Sequence, residues 1–191
     1  MKLSKNLILG SNSPRRKEIL KSFGLKFKVL VRPTDESFGS EMQIEKVPEF
    51  LAFQKSSCFE DFGQDTIIIC ADTIVAINNQ ILNKPTSYDE AFEMLSSLSN
   101  KTHKVITGVS IKIGENYTNF IDEALVNFDK LEPNEIDYYI KNHKPFDKAG
   151  SYGVQDFIGM MGISKIEGSF YTVMGLPIHK VYTFLKPYIK L

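Results

Sequence analysis

A turn rich in serine and arginine, an aspartate after an apolar run, and a scatter of lysines are the residues here whose types suit chemistry on a polyphosphate. The turn is Ser11-Asn12-Ser13-Pro14-Arg15-Arg16. It lies between the apolar Leu7-Ile8-Leu9 and a helical pattern. Free backbone amides and the positive end of a helix dipole therefore meet two hydroxyls, Ser11 and Ser13, and two guanidinium groups, Arg15 and Arg16. Arginine forks suit bidentate contact with phosphate better than lysine does. A well-capped helix with solvated arginines would show the same spacing without any ligand.

The aspartate is Asp72, in Ala71-Asp72-Thr73, placed at or just beyond the end of a buried strand over Thr66 to Cys70. Open α/β sheets receive ligands outside strand ends, although a lone carboxylate can also cap a turn. Glu36, in Thr34-Asp35-Glu36, supplies a second acid on a loop. Two carboxylates and phosphate oxygens are the usual holders of magnesium, and one such carboxylate can deprotonate a water. Lys55, Lys84 in Asn83-Lys84-Pro85 and Lys148 in Asp147-Lys148-Ala149-Gly150 would, if they converge, offset charge on a leaving group. Taken singly, each reads as a solvated lysine. The Gln155 amide both donates and accepts, which suits a base edge.

These residues need elements to position them. Ser13 reads as an N-cap with Pro14 at the first helical position, Ile19, Leu20 and Phe23 as the buried stripe, and Gly24 as the stop. A second helix starts at Pro48 and carries Lys55 late in its length. After Thr66 to Cys70 the chain stays extended through Ile74 to Ile77, and Asn78-Asn79 signals a hairpin. Ser87, with Glu90 three residues on, matches a capping box for a helix through Leu98. Lys104 to Ile113 alternates as a strand, and Gly114-Glu115-Asn116 turns it into another around Phe120. Pro133 to Asn142 is helical, and Pro177 opens a last helix. Six glycines between Gly150 and Gly175 imply tight turns. The alternation is that of an α/β protein with a mixed sheet flanked by helices.

Composition removes several function classes. Lys plus Arg and Asp plus Glu both number 23, so no global basic field holds the chain on nucleic acid or an anionic membrane. Two cysteines, Cys58 and Cys70, make no disulfide framework, and Cys70 reads as a buried strand thiol. No secretory segment or membrane-length apolar run is seen, so the expected location is cytoplasmic. There is no Walker or dinucleotide pattern and no zinc spacing. His103, His143 and His179 lack a nucleophile partner, and His179 reads as a surface residue. From spacing alone the chain is a phosphate-binding α/β enzyme.

Taken in order, these segments resemble the Maf family of nucleoside triphosphate pyrophosphatases, historically called septum formation inhibitors. The likeness covers nearly the whole chain: LILGSNSPRRKEILKSFG from Leu7, Asp35-Glu36, Leu51 to Lys55, Ala71-Asp72-Thr73, Lys84-Pro85, HKVITGV from His103, DKAGSYGVQ from Asp147 and IEGSFYTVMGLP from Ile166. The resemblance implies one Maf-like domain over residues 1–191, with a bilobal α/β fold shared with inosine triphosphate pyrophosphatases and a central cleft. It implies Asp72 as proton acceptor, and Arg15, Thr73 and Gln155 as setters of base preference. Glu36, Lys55, Lys84 and Lys148 match polar positions of the family's cleft. Glu36 and Asp72 would hold a divalent cation, Mg2+ or Mn2+. Gly-Val-Gln within DKAGSYGVQ is similar to the subgroup acting on dTTP and UTP. The implied partners are a nucleoside triphosphate and a second copy of the chain in a homodimer, with no nucleic acid and no membrane. Asn83, Ala124 and Thr172 depart from the residues usual at their positions. Two other readings are a division regulator that binds a nucleotide or partner without turnover, and a pyrophosphatase for methylated or non-standard purine nucleotides.

Overall fold

The computed structural model describes residues 1–39 and 41–190. The chain begins with β1 (Lys2–Leu3), β2 (Asn6–Leu9), α1 (Pro14–Ser22) and β3 (Lys28–Val29). A 3-10 turn at Ile44–Lys46 runs into α2 (Val47–Ser57). Next come β4 (Thr66–Ile77), β5 (Gln80–Leu82), α3 (Tyr88–Leu98), β6 (Thr102–Ile113) and β7 (Asn116–Phe128). α4 (Pro133–His143), α5 (Phe157–Gly162), β8 (Ile163–Glu167), α6 (Phe170–Met174), α7 (Ile178–Leu185) and β9 (Ile189–Lys190) follow. Strands are hydrogen-bonded in the order β3-β2-β4-β6-β7-β8, with β5 added to β4 and β1 paired separately with β9. β2 is parallel to β3 and β4, whereas β5 and β8 are antiparallel to their neighbours, so the sheet is mixed as expected.

The residues fall into two compact units. The first comprises Met1–Asp72, Thr107–Asp122 and Gly175–Leu191; the second comprises Thr73–Ile106 and Glu123–Met174. In the first unit Leu9, Leu20, Ile67 and Ile69 are fully buried. Each such side chain contributes about 1.5–3 kcal/mol relative to exposure. α1 forms where local sterics favour it. The Ser13 hydroxyl accepts from the Arg16 amide at 3.5 Å, Pro14 opens the first turn, and the helix stops at Phe23 before Gly24. In the second unit α3 and α4 bury Leu95, Leu98, Ile136, Tyr139 and Ile140. A capping box between Glu132 and Glu135 opens α4.

Four local expectations are corrected. α2 starts at Val47, one residue before Pro48, because the preceding 3-10 turn feeds directly into it. At Ser87 only half the capping box forms: the hydroxyl accepts from the Glu90 amide at 3.1 Å, but the Glu90 carboxylate binds the Thr86 amide and hydroxyl instead. β6 does not alternate, since Val105 to Ile113 are all buried. It lies between β4 and β7, and a central strand covered on both faces has no solvent side to mark. Finally, β4 is one strand of 12 residues, so Asp72 lies within it rather than at its end. β4 continues because its second half finds a new partner in β5, through Val75, Ala76 and Ile77. The turn between them uses Asn78 and Asn79, both at positive φ. Among the described residues no helix is long and apolar enough to cross a membrane.

Candidate active site

In the first unit the Ser11–Arg16 turn forms where β2 stops. β2 pairs with β4 from Asn6↔Thr66 to Leu9↔Ile69, and the Gly10 amide closes the ladder on the Ile69 carbonyl at 2.8 Å. Only glycine fits at position 10, because a Cβ there would lie 2.4 Å from Cys70 Sγ and 3.3 Å from the Phe59 ring. Burial pushes the Cys70 thiol up to about 12, against the pull of Lys55 and Arg16. The thiol is therefore a packing group beneath the turn. Ser11 is buried, and its Oγ accepts from the Ser13 amide and from Arg16 Nη1, each at 3.2 Å. Arg16 Nε donates to the Gly175 carbonyl at 2.8 Å. Gly175 holds φ at +103°, a backbone state open to glycine, which turns that carbonyl toward the guanidinium. Burial pulls the Arg16 guanidinium below its ordinary value, and Asp72 opposes that pull. Part of the Arg16 fork thus braces the turn. Arg15 is half-buried on the same helical turn.

Asp72, Lys55 and Glu36 meet in the same unit. Lys55, on the last turn of α2, places Nζ 2.5 Å from Asp72 Oδ1 and 3.0 Å from Glu36 Oε1. Lys55 and Asp72 side chains are only 16% and 15% exposed, while Glu36 is 58% exposed. Two carboxylates from different elements therefore converge on one cation, with one shielded from water and the other open to it. Their hard oxygen donors fit a divalent metal completed by phosphate oxygens. Among the described residues no group of three or more His, Cys, Asp or Glu could hold a metal ion. A metal here would draw on this pair and on a ligand.

Thr73, Lys84, Lys148 and Gln155 belong to the second unit. Lys148 is 12% exposed, with Nζ 2.7 Å from Asp147 Oδ1 and 3.6 Å from Asp156 Oδ2. Asp156 Oδ2 also accepts from the Tyr139 hydroxyl at 2.9 Å, and that hydroxyl accepts from the Gly153 amide at 3.3 Å. Gln155 carries a buried Oε1 that has no hydrogen-bond partner among the described residues. A buried acceptor left open costs about 1–3 kcal/mol. Lys84 is exposed, and the preceding Asn83 carbonyl accepts from the Gly150 amide at 3.2 Å.

Sequence reasoning missed three supporting groups. Tyr139 and Asp156 orient the Lys148 segment, and the Gly175 carbonyl orients Arg16. His103 pairs with Tyr152 at 2.7 Å and stacks on Phe128, with ring centroids 5.6 Å apart. For Tyr139 and Asp156 the signal was a tyrosine on a buried helical stripe and an acid beside the GVQ segment, which nothing local ties together. His179 is surface-exposed as expected, with Nε2 3.8 Å from Asp122.

The family described as Maf-like protein matches residues 6–188. A dTTP/UTP pyrophosphatase of Cytophaga hutchinsonii is 46% identical over 176 residues, covering 92% of this chain and 81% of that protein. One of Flavobacterium psychrophilum is 45% identical over 181 residues, covering 94% of this chain and 92% of its own length. Among solved structures, the Ham1 protein of Staphylococcus aureus is similar over 65% of this chain and 72% of that one, at 13% identity and a TM-score of 0.46.

Proposed function

The chain belongs to the Maf family, and from that premise we propose that it hydrolyses nucleoside triphosphates, dTTP and UTP foremost, to the monophosphate and pyrophosphate. The observation that carries this reading is the meeting of Asp72, Lys55 and Glu36 in one unit with the Ser11–Arg16 turn. A polyphosphate needs cations and amides to hold it, and an acid to take a proton from water. That unit has both.

In the proposed reaction the phosphates contact the amides of the turn, the Ser11 and Ser13 hydroxyls and Arg15. Asp72 accepts the proton of a water whose oxygen attacks the α-phosphorus. The bond from that phosphorus to the bridging oxygen breaks, and pyrophosphate departs with the bond's electrons. Lys55 holds the Asp72 and Glu36 carboxylates in place. Lys84 and Lys148 offset charge on the departing group. Arg16 acts mainly by fixing the turn. Glu36 and Asp72 would hold Mg2+ or Mn2+, which supplies Lewis-acid polarisation of phosphoryl oxygens when bound. Gln155, with its open amide oxygen, and Thr73 set base preference; the imide N–H of thymine or uracil is a donor of the kind Gln155 Oε1 lacks.

The test is pyrophosphate release across a panel of nucleoside triphosphates, with Mg2+ or with chelator, for the native chain and Asp72→Asn. The expected result is metal-dependent release from dTTP and UTP, cut by about 10²–10⁴-fold in Asp72→Asn while the fold is kept. Full turnover by Asp72→Asn would sink the assignment of the base. Absence of release from every triphosphate by folded protein would replace the enzyme with a nucleotide-binding regulator. Activity confined to methylated guanine nucleotides would overturn the role given to Gln155.

A further inference from the structure

We propose a second ligand site in the first unit: a lysine-lined cavity at the amino ends of β2 and β4 that takes a small organic phosphate monoester with an apolar body. The cavity holds about 500 Å³ and is lined by residues 1–8 of the chain together with Lys26, Phe27, Lys28, Phe62 and Thr66, except Ser4. Cavities of roughly 300–1,000 Å³ are the size that small ligands and cofactors occupy.

Its chemistry is lopsided. Lys2, Lys5, Lys26 and Lys28 all line it, and no aspartate or glutamate does. The chain as a whole is neutral, with 23 basic and 23 acidic residues, so four cations around one cavity without an acid are a local concentration rather than a global field. Lys5 is held in position, since its ammonium donates to the Gln64 carbonyl and sits 5.6 Å from the centre of the Tyr188 ring. The floor is apolar and firm. Ile8 is buried in a cluster with Phe59, Ile68 and Cys70, and Phe62 packs against it. Phe27 supplies a second ring to the wall. Several ammonium groups over an aromatic floor suit a doubly charged head on a flat or aliphatic body. A monoanionic carboxylate would leave most of those charges unanswered.

The cavity is distinct from the candidate active site. It lies at Asn6 and Thr66, where β2 and β4 begin, whereas Ser11 follows the end of β2. Ser11 lies five positions beyond Asn6, roughly 16 Å along an extended chain.

The probe is 1-naphthyl phosphate, with neutral 1-naphthol as its control, titrated into isotope-labelled full-length protein and followed by amide NMR shifts. The expected result is saturable shifts at residues 3–8, 26–28 and 62–66, weakened by added salt and absent with naphthol. Lys2→Gln/Lys26→Gln/Lys28→Gln, which changes exposed side chains outside the active site, should lower the affinity about tenfold and leave basal pyrophosphate release unchanged. Shifts confined to Ser11, Arg16 and Asp72, equal shifts with naphthol, undiminished affinity in the triple variant, or no saturable shift would each overturn the proposal. Sedimentation with vesicles containing phosphatidic acid separates the two sources of such a phosphate. A soluble ligand leaves the protein in the supernatant, and lysine-dependent co-sedimentation would overturn the small-molecule assignment. Failure of the pyrophosphatase reading leaves this outcome untouched, because the binding readout does not involve turnover.

Discussion

Gly10→Ala tests whether the Ser11–Arg16 turn is held by close packing on β4. The new Cβ would meet Cys70 Sγ at 2.4 Å and the Phe59 ring at 3.3 Å. Non-bonded heavy atoms sit comfortably at about 3.5–4.0 Å, so the sulfur must yield by more than about 1 Å. It has little room to do so, because Cys70 is wholly buried and its strand is paired with β2 up to the preceding residue. Overpacking of this kind costs about 1–3 kcal/mol; at about 2 kcal/mol, the melting temperature of a chain this long falls by about 4–8 °C. Cys70→Ala alone leaves a small void and costs about 1 kcal/mol. In the double variant the nearer clash partner is gone and only the looser Phe59 approach at 3.3 Å remains, so the total should stay near the Cys70→Ala value instead of reaching about 3 kcal/mol. That is a coupling of roughly 1.5–2 kcal/mol. Urea unfolding of the four proteins measures the cycle, and pyrophosphate release measures the site. Gly10→Ala also displaces Ser11, so turnover should fall about 10²-fold and largely return in the double variant. Additivity within about 0.5 kcal/mol, or turnover unaffected by Gly10→Ala, would refute the reasoning.

Three further outcomes follow from the same geometry. Burial lowers the His103 pKa from 6.5 to about 4, so its contribution is fully present above pH 6.5 and is lost as pH falls toward 4. Stability should drop by about 3 kcal/mol over that window, and urea unfolding between pH 7 and pH 4 should show a shallower slope for His103→Gln, by about one proton. Asp156→Ala, which strands the buried Tyr139 hydroxyl, should cost about 1–3 kcal/mol, and Asp156→Asn clearly less, by the same unfolding assay. A thiol reagent at neutral pH should label Cys58 in native protein and reach Cys70 only after denaturation, since Cys70 is buried with its pKa pushed up to about 12. Rapid native labelling of Cys70 would contradict the packing described beneath Gly10.

Much of the fold was legible because its signals are local. The Ser13 cap, Pro14 in the first turn, the Asn78-Asn79 hairpin and the Gly24 stop each depend on a few neighbouring residues and their allowed backbone angles. Elements whose neighbours lie far off in sequence were read less well. β4 looked as if it ended at Asp72 because a carboxylate interrupts its apolar run there; the Asn78-Asn79 hairpin announces β5, but where β2, distant in sequence, leaves the edge of β4 is not written locally. β6 looked half-exposed, because its covering layers come from other parts of the chain.

The site divides along the same line. The residue types and the strand–turn–helix of the Ser11–Arg16 turn follow from the amino-acid sequence, since hydroxyls, arginines and free amides at a helix start are a short-range arrangement. The bridge from Lys55 to Asp72 and Glu36 does not: it joins a helix end, a mid-strand position and a loop, held at 2.5 and 3.0 Å by the packing of α2 and β4 in one unit. The brace from Arg16 to Gly175 spans 159 residues, and the one between Tyr139 and Asp156 joins a buried helix to an irregular segment. Sequence thus determined which groups were available and how the local backbone would run. Which of them meet was decided by tertiary structure, because contacts between distant residues follow from strand register and core packing that no short window encodes.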